Sequence, residues 1–154
     1  MPSGGQANDA GKTRTLSENE RIEIDTALAH SLGKETPVAF AYVHGSFARG
    51  ERFRDLDLAV YVSGVPDSDF LNYEFHLEEI CEKTIRQMGI VVPVDCRILN
   101  KAPLGFRYSV IRNGRLIRER DSRSRALFEE RTYCLYLDFL PYRRRYMREV
   151  YGLS

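Results

Sequence analysis

Hydrophobic positions recur along the chain with two periods, and the switches between them predict its elements. Residues 17–20, "SENE", read as a capping box in which Glu20 reaches back to Ser17. Ile24, Leu28 and Leu32 follow at helical spacing until Gly33. "PVAFAYVH", residues 37–44, is short, apolar and bounded by Pro37 and Gly45, the pattern of a buried strand. "RDLDLAVYV", residues 54–62, predicts a second strand, closed by "SGVPDSD". Residues 69–88 carry Phe70, Leu77, Ile80, Cys81, Ile85 and Met88 on one side of a helix that Gly89 stops. "IVVPVDCRIL", residues 90–99, predicts a third strand, and its Pro93 argues for an edge position or a bulge. A short helix then ends near Asn113-Gly114, and "RLIRER" predicts a brief fourth strand. Residues 122–150 form a long helical segment that Pro141 should kink or break. The order is that of a small α/β fold, a sheet with helices packed on it.

The totals narrow the class. The 154 residues fit one domain with a modest core, and 43% hydrophobic and 29% charged residues are ordinary globular values. "MPSGGQANDAGKTRT", residues 1–15, is small and polar without the apolar centre of a signal peptide, so it is expected to be a disordered leader before a single domain over residues 16–154. No run of about 18 apolar residues predicts a membrane span. Cys81, Cys96 and Cys134 are odd in number and show no metal-ligand spacing, which makes a reducing cytoplasm the simplest location. The net charge of +1 hides an asymmetry. Residues 1–96 hold 9 Lys+Arg against 16 Asp+Glu (−7), and residues 97–154 hold 14 against 6 (+8). Of the basic residues 19 are arginine, the side chain suited to forked recognition of carboxylate or phosphate. A phosphate-rich ligand, a nucleic acid, an acidic protein and mutual neutralisation of the two halves all fit that balance.

Candidate chemistry concentrates in "HGSFARGERFRDLDLAVYV", residues 44–62. On a strand Asp55 and Asp57 point the same way, with Cα atoms about 7 Å apart. Two such carboxylates raise each other's pKa unless a cation compensates them, and Mg²⁺, which shares its sites with phosphate and water, suits the task. Gly45-Ser46 lies where a strand ends, offering backbone N–H groups and a hydroxyl to an anion. Asp95 sits inside an otherwise apolar strand, where a carboxylate needs a partner or a ligand. If that strand neighbours the second, three carboxylates converge as metal-assisted phosphoryl or nucleotidyl transfer requires. Alone, a D-x-D pair is often solvent-facing, a Gly-Ser step says little, and Asp95 has Arg97 within reach as an ion-pair partner. Arg49 touches either phosphate or its neighbour Glu51. His44 contacts a nucleotide or, as is commoner at a strand end, simply packs.

In combination these residues resemble the signature of the polymerase β-like nucleotidyltransferases, and within them the minimal nucleotidyltransferase (MNT) family, the MntA-type antitoxins. The resemblance rests on Gly45-Ser46, the "ARGE" of residues 48–51, Asp55-Leu56-Asp57-Leu58 and Asp95 with its continuation to residue 121, and it spans residues 17–150. It implies an α/β (α+β) core, a small mixed sheet flanked by helices with a C-terminal helix. It further implies that Asp55, Asp57 and Asp95 are catalytic and hold Mg²⁺, and that Gly45, Ser46 and Arg49 bind ATP. The implied reaction transfers AMP from ATP to a tyrosine of a partner HEPN ribonuclease toxin and releases pyrophosphate. The eight residues between Ser46 and Asp55 are fewer than that family's usual run, and Arg54 precedes the first aspartate, where it pairs with phosphate or with Asp55. The alternatives are an idle antitoxin that neutralises its toxin by contact and an enzyme acting on a small-molecule hydroxyl.

The segment "YCLYLDFLPYRRRY", residues 133–146, is apolar nearly all round up to Tyr142, with only Asp138 between. A helix with one buried face shows one stripe. This one is expected to meet a protein partner through Tyr136, Phe139 and Tyr142, with Arg143–Arg145 at the rim. The helix over 122–150 is therefore the expected contact with the toxin, while neither a membrane nor a nucleic acid is expected as a partner.

Overall fold

The computed structural model describes residues 12–153 and places a four-stranded sheet between two sets of helices. The elements are α1 (Glu18–Gly33), β1 (Val38–His44), the single turn α2 (Gly45–Ala48), β2 (Leu56–Val62), α3 (Phe70–Gln87), β3 (Val94–Ile98), α4 (Leu104–Asn113), β4 (Arg115–Glu119) and α5 (Ser122–Tyr151). The strand order is β3-β2-β1-β4. β1 pairs antiparallel with both β2 and β4, whereas β2 and β3 are parallel, joined by the α3 crossover.

Alternation along the strands builds both faces. Leu56, Leu58, Val60 and Val62 of β2 enter the main core with Ile24, Leu28 and Leu32 of α1 and Leu77, Cys81 and Ile85 of α3. The opposite face packs Phe40, Tyr42 and Ala59 with Val110 of α4, against which Phe106 and Phe128 lie. The capping box at α1 forms as expected: Ser17 accepts from Glu20 N at 3.2 Å and its own N–H donates to Glu20 at 3.0 Å.

Three expectations are corrected. The second strand begins at Leu56, so Asp55 lies in the bend before it rather than on it. The third strand is confined to Val94–Ile98, because Pro93 has no N–H to offer a ladder; β3 is nevertheless an edge strand, as Pro93 argued. α5 runs through Pro141 without a break. The helix around Pro141 is exposed, so the carbonyl that proline leaves without an intrahelical donor lies on the open side of the molecule. Residues 1–11 of the expected leader lie outside the described residues, and Arg14, at its far end, pairs with Phe53 through two backbone hydrogen bonds of 2.8 and 3.0 Å.

α5 spans about 45 Å at about 1.5 Å per residue. Its first half is tied down: Tyr42 Oη donates to Glu129 at 2.6 Å, and Tyr136 stacks on Tyr108 of α4 with ring centroids 3.7 Å apart. Beyond, Leu137, Phe139, Tyr142, Tyr146 and Val150 are exposed. No described helix is long and apolar enough to cross a membrane.

Candidate active site

Sheet register brings two of the three predicted carboxylates together. Asp57 near the start of β2 lies opposite His44 in the antiparallel direction and opposite Asp95 in the parallel direction. Adjacent strands stand about 4.8 Å apart, so Asp57 and Asp95 are side by side on the face that α4 borders. Asp57 is half-buried, whereas Asp95 is exposed. Asp55 is exposed in the preceding bend.

Burial first, and then the neighbouring Asp95 and Asp55, push the Asp57 carboxyl above the ordinary range, while Arg49 and Arg97 oppose the shift. No hydrogen bond or ion pair within the described protein engages any of the three carboxylates. In particular Arg54 does not pair with Asp55, and Arg97 is drawn instead over the Phe106 ring, 6.0 Å from its centroid. His44 also rests on Phe106, edge to face at 5.4 Å. Burial lowers its pKa despite Asp95, and its Nε2 is buried without a partner among the described residues.

Gly45 joins the turn to the acidic pair. It has φ of 71°, and a Cβ placed there would lie 2.2 Å from Asp57 Oδ2. Both facts require glycine: only it adopts this conformation readily, and only it lets the carboxylate approach the backbone this closely. Ser46 follows on the same turn, and Arg49 Nη2 lies 3.4 Å from its hydroxyl. Arg49 itself grips Glu51 with Nε and Nη2 at 3.0 and 3.2 Å, the neighbour pairing expected as the alternative to a phosphate contact.

Three residues that support this turn escaped sequence reasoning. Arg21 is buried and donates to the carbonyls of Phe47 at 2.6 Å, Glu51 at 3.1 Å and Leu16 at 3.2 Å. Arg115, paired with Asp25 at 2.8 Å, donates to the Ala48 carbonyl at 3.0 Å. Two guanidiniums from α1 and β4 thus hold the carbonyls that follow Ser46. A cleft of about 490 Å³ adjoins them, lined by Arg21, Asp25, Arg49 and Arg115 among others. Arg21 carried a readable signal, since it shares the helical stripe of Ile24, Leu28 and Leu32; Arg115 carried none.

The three carboxylates suit a divalent ion only in part. Among the described residues no three His, Cys, Asp or Glu side chains are gathered closely enough to hold one. The Asp57–Asp95 pair does fit: two oxygen donors on adjacent strands have no partner among the described residues, and the destabilisation that burial and Asp95 impose on the Asp57 carboxylate is what a divalent cation relieves.

The profile of the family "Polymerase beta, Nucleotidyltransferase" matches residues 26–123, which contain the turn and all three carboxylates. The chain belongs to that family. This nucleotidyltransferase is also similar in fold to solved MNT antitoxins in complex with HEPN toxins. One is the complex of the tri-AMPylated HEPN toxin of Shewanella oneidensis with its MNT antitoxin, at 18% identity over 84% of this chain and 98% of that one, TM-score 0.63. Another is the toxin–antitoxin MntA–HepT, at 18% identity, 84% and 97% coverage and a TM-score of 0.61. A third is a toxin–antitoxin with AMP-PNP, at 22% identity, 88% and 98% coverage and a TM-score of 0.60. No curated protein matches the chain.

Proposed function

We propose that this nucleotidyltransferase is an antitoxin that transfers AMP from ATP to a tyrosine hydroxyl of a partner HEPN toxin, in the cytoplasm, as a single domain over residues 16–154. The observation that carries the reading is the juxtaposition of Asp57 and Asp95 beside the Gly45-Ser46 turn within a nucleotidyltransferase fold. Gly45 and Ser46 receive the β- and γ-phosphates through backbone N–H groups and the serine hydroxyl, with Arg49 released from Glu51 toward the same phosphates. Asp57 and Asp95 would hold Mg²⁺, with Asp55 contributing from the exposed bend that precedes β2. The ion supplies charge neutralisation at the α-phosphate and the leaving group, the main requirement of such transfers. Asp95, the more exposed of the strand pair, accepts the tyrosine proton. The phenolic oxygen bonds to the α-phosphorus, the α–β phosphoanhydride bond breaks, and pyrophosphate leaves. The toxin docks on the free half of α5, where Leu137, Phe139 and Tyr142 stand beside Arg143 and Arg144. Tyr136, also expected among the anchors, stacks on Tyr108 at the inner end of this surface.

The test is incubation with α-labelled ATP, Mg²⁺ and the product of the neighbouring gene, followed by detection of labelled tyrosine. Asp57→Asn abolishes the label; label that survives it refutes the metal assignment. Leu137→Glu with Tyr142→Glu abolishes binding of the partner and leaves folding unchanged. The contact-only reading is favoured by the spread of the three carboxylates and by the Arg49–Glu51 pair. It predicts no label with neutralisation intact.

A further inference from the structure

Three glutamates on α3 close the free edge of the sheet. Because β3 is an edge strand, one row of its N–H groups has no strand to donate to. The N–H groups of Val94, Cys96 and Ile98 donate instead to Glu82, Glu78 and Glu74, each at 3.0 Å. The match is one of repeats: four residues of helix advance about 6.0 Å, and two residues of strand about 6.6 Å. α3 and β3 run in opposite senses, so the glutamates meet the strand in reverse order. Glutamates four apart repel one another in an isolated helix. Here each carboxylate is instead the acceptor of a charge-assisted bond to backbone.

Asp95 lies between two of the anchored residues. Along β3 the buried and exposed positions alternate: Val94, Cys96 and Ile98 are buried, while Asp95 and Arg97 face the candidate site. The backbone of β3 is thus held from both sides, by β2 through one row of groups and by the glutamates through the other. Pro93 belongs to the row that faces β2, where its carbonyl accepts from Leu56 N at 2.9 Å.

We propose that this glutamate ladder holds Asp95 opposite Asp57, and that Glu78, bonded to the residue next to Asp95, is a positioning residue for divalent-cation binding. The inference rests on the metal site proposed above. It also closes this edge to strand addition by another chain, so a partner docks elsewhere on the molecule.

The test compares Glu78→Ala, Glu78→Gln, whose amide oxygen still accepts the bond, and Glu79→Ala as an exposed control. Amide hydrogen exchange at Asp95 and Cys96 reports the strand, and NMR titration with Mg²⁺ alone reports the site. Glu78→Ala should speed exchange at Cys96 by about ten-fold or more, the scale of a lost hydrogen bond to a charged group. It should weaken Mg²⁺ binding about 10- to 100-fold, as loss of a group that orients a metal ligand does. Glu78→Gln should restore most of both, and Glu79→Ala should change neither. Unchanged Mg²⁺ affinity in Glu78→Ala overturns the proposal, as does an equal loss in Glu78→Gln, which would assign the effect to charge. If Glu78→Ala does not fold, Glu82→Ala at the start of the strand gives the same reading. Wild-type protein that binds no Mg²⁺ overturns the metal reading itself, and the exchange rates then decide separately whether the ladder holds the strand.

Discussion

Replacing Gly45 by alanine tests whether the Gly45-Ser46 turn and the acidic strand are built against each other. At φ of 71° a non-glycine residue is strained by roughly 1–2 kcal/mol. The added Cβ would also fall 2.2 Å from Asp57 Oδ2. That oxygen ends a flexible side chain, so it yields by rotating, at about 1 kcal/mol for a side chain driven off its rotamer. The total of about 2–3 kcal/mol should lower Tm by about 4–12 °C, at about 2–4 °C per kcal/mol for a chain of this size. Thermal melts followed by circular dichroism should include Gly45→Ala, Asp57→Ala and the double variant. Without the Asp57 carboxylate only the conformational strain remains, so the double variant should be about 1 kcal/mol more stable than the sum of the two single effects. Purely additive variants, or a Gly45→Ala melt within about 1 °C of wild type, would refute the close approach of turn and carboxylate.

Arg21→Met should unfold more readily by about 3 kcal/mol, because three carbonyls lose a charged donor; a melting temperature equal to that of wild type would show that the clamp is dispensable. The pH dependence follows from Asp57, whose pKa is raised by burial and then by Asp95 and Asp55. A carboxyl raised in the folded state favours folding when protonated, and that contribution is lost as pH rises through the folded pKa. In divalent-free buffer Asp57→Asn should therefore raise Tm at pH 7, with the gain narrowing as pH falls into the ordinary carboxylate range; a pH-independent difference contradicts this. Burial pushes the Cys81 thiol up to about 12 and Cys96 well above its ordinary value, whereas Cys134 is exposed. An aromatic disulfide reagent at pH 8 should titrate one thiol per native chain and three in denaturant, and more than one fast native thiol would contradict the buried placement.

Most elements were legible because period and punctuation are local. The Ser17–Glu20 box, the Leu28–Leu32 stripe and the apolar run before Gly45 depend on neighbours within a few residues, and each stands where its pattern put it. Asp55 misled because strand alternation was extended two residues too early, across a bend that pairing with β3 does not reach. Of the two outcomes expected at Pro141, a kink or a break, the break does not occur: α5 is continuous from Ser122 to Tyr151. The stack of Tyr136 on Tyr108 was not legible, because the two rings lie 28 positions apart in the chain.

The sequence by itself determined the period of each element, the pairing of Gly45-Ser46 with Asp55 and Asp57, and the presence of a third carboxylate in a strand. Only the tertiary structure decided that β3 lies parallel beside β2 with Asp95 against Asp57, that α3 caps that edge with three glutamates, and that Arg21 and Arg115 hold the carbonyls after the Gly45-Ser46 turn. Local preferences act over a helical turn or a strand pair and can be read along the chain. Register between strands some forty residues apart is set by which packing buries the most apolar surface while leaving no backbone donor unpaired, and that balance exists only once the chain has folded.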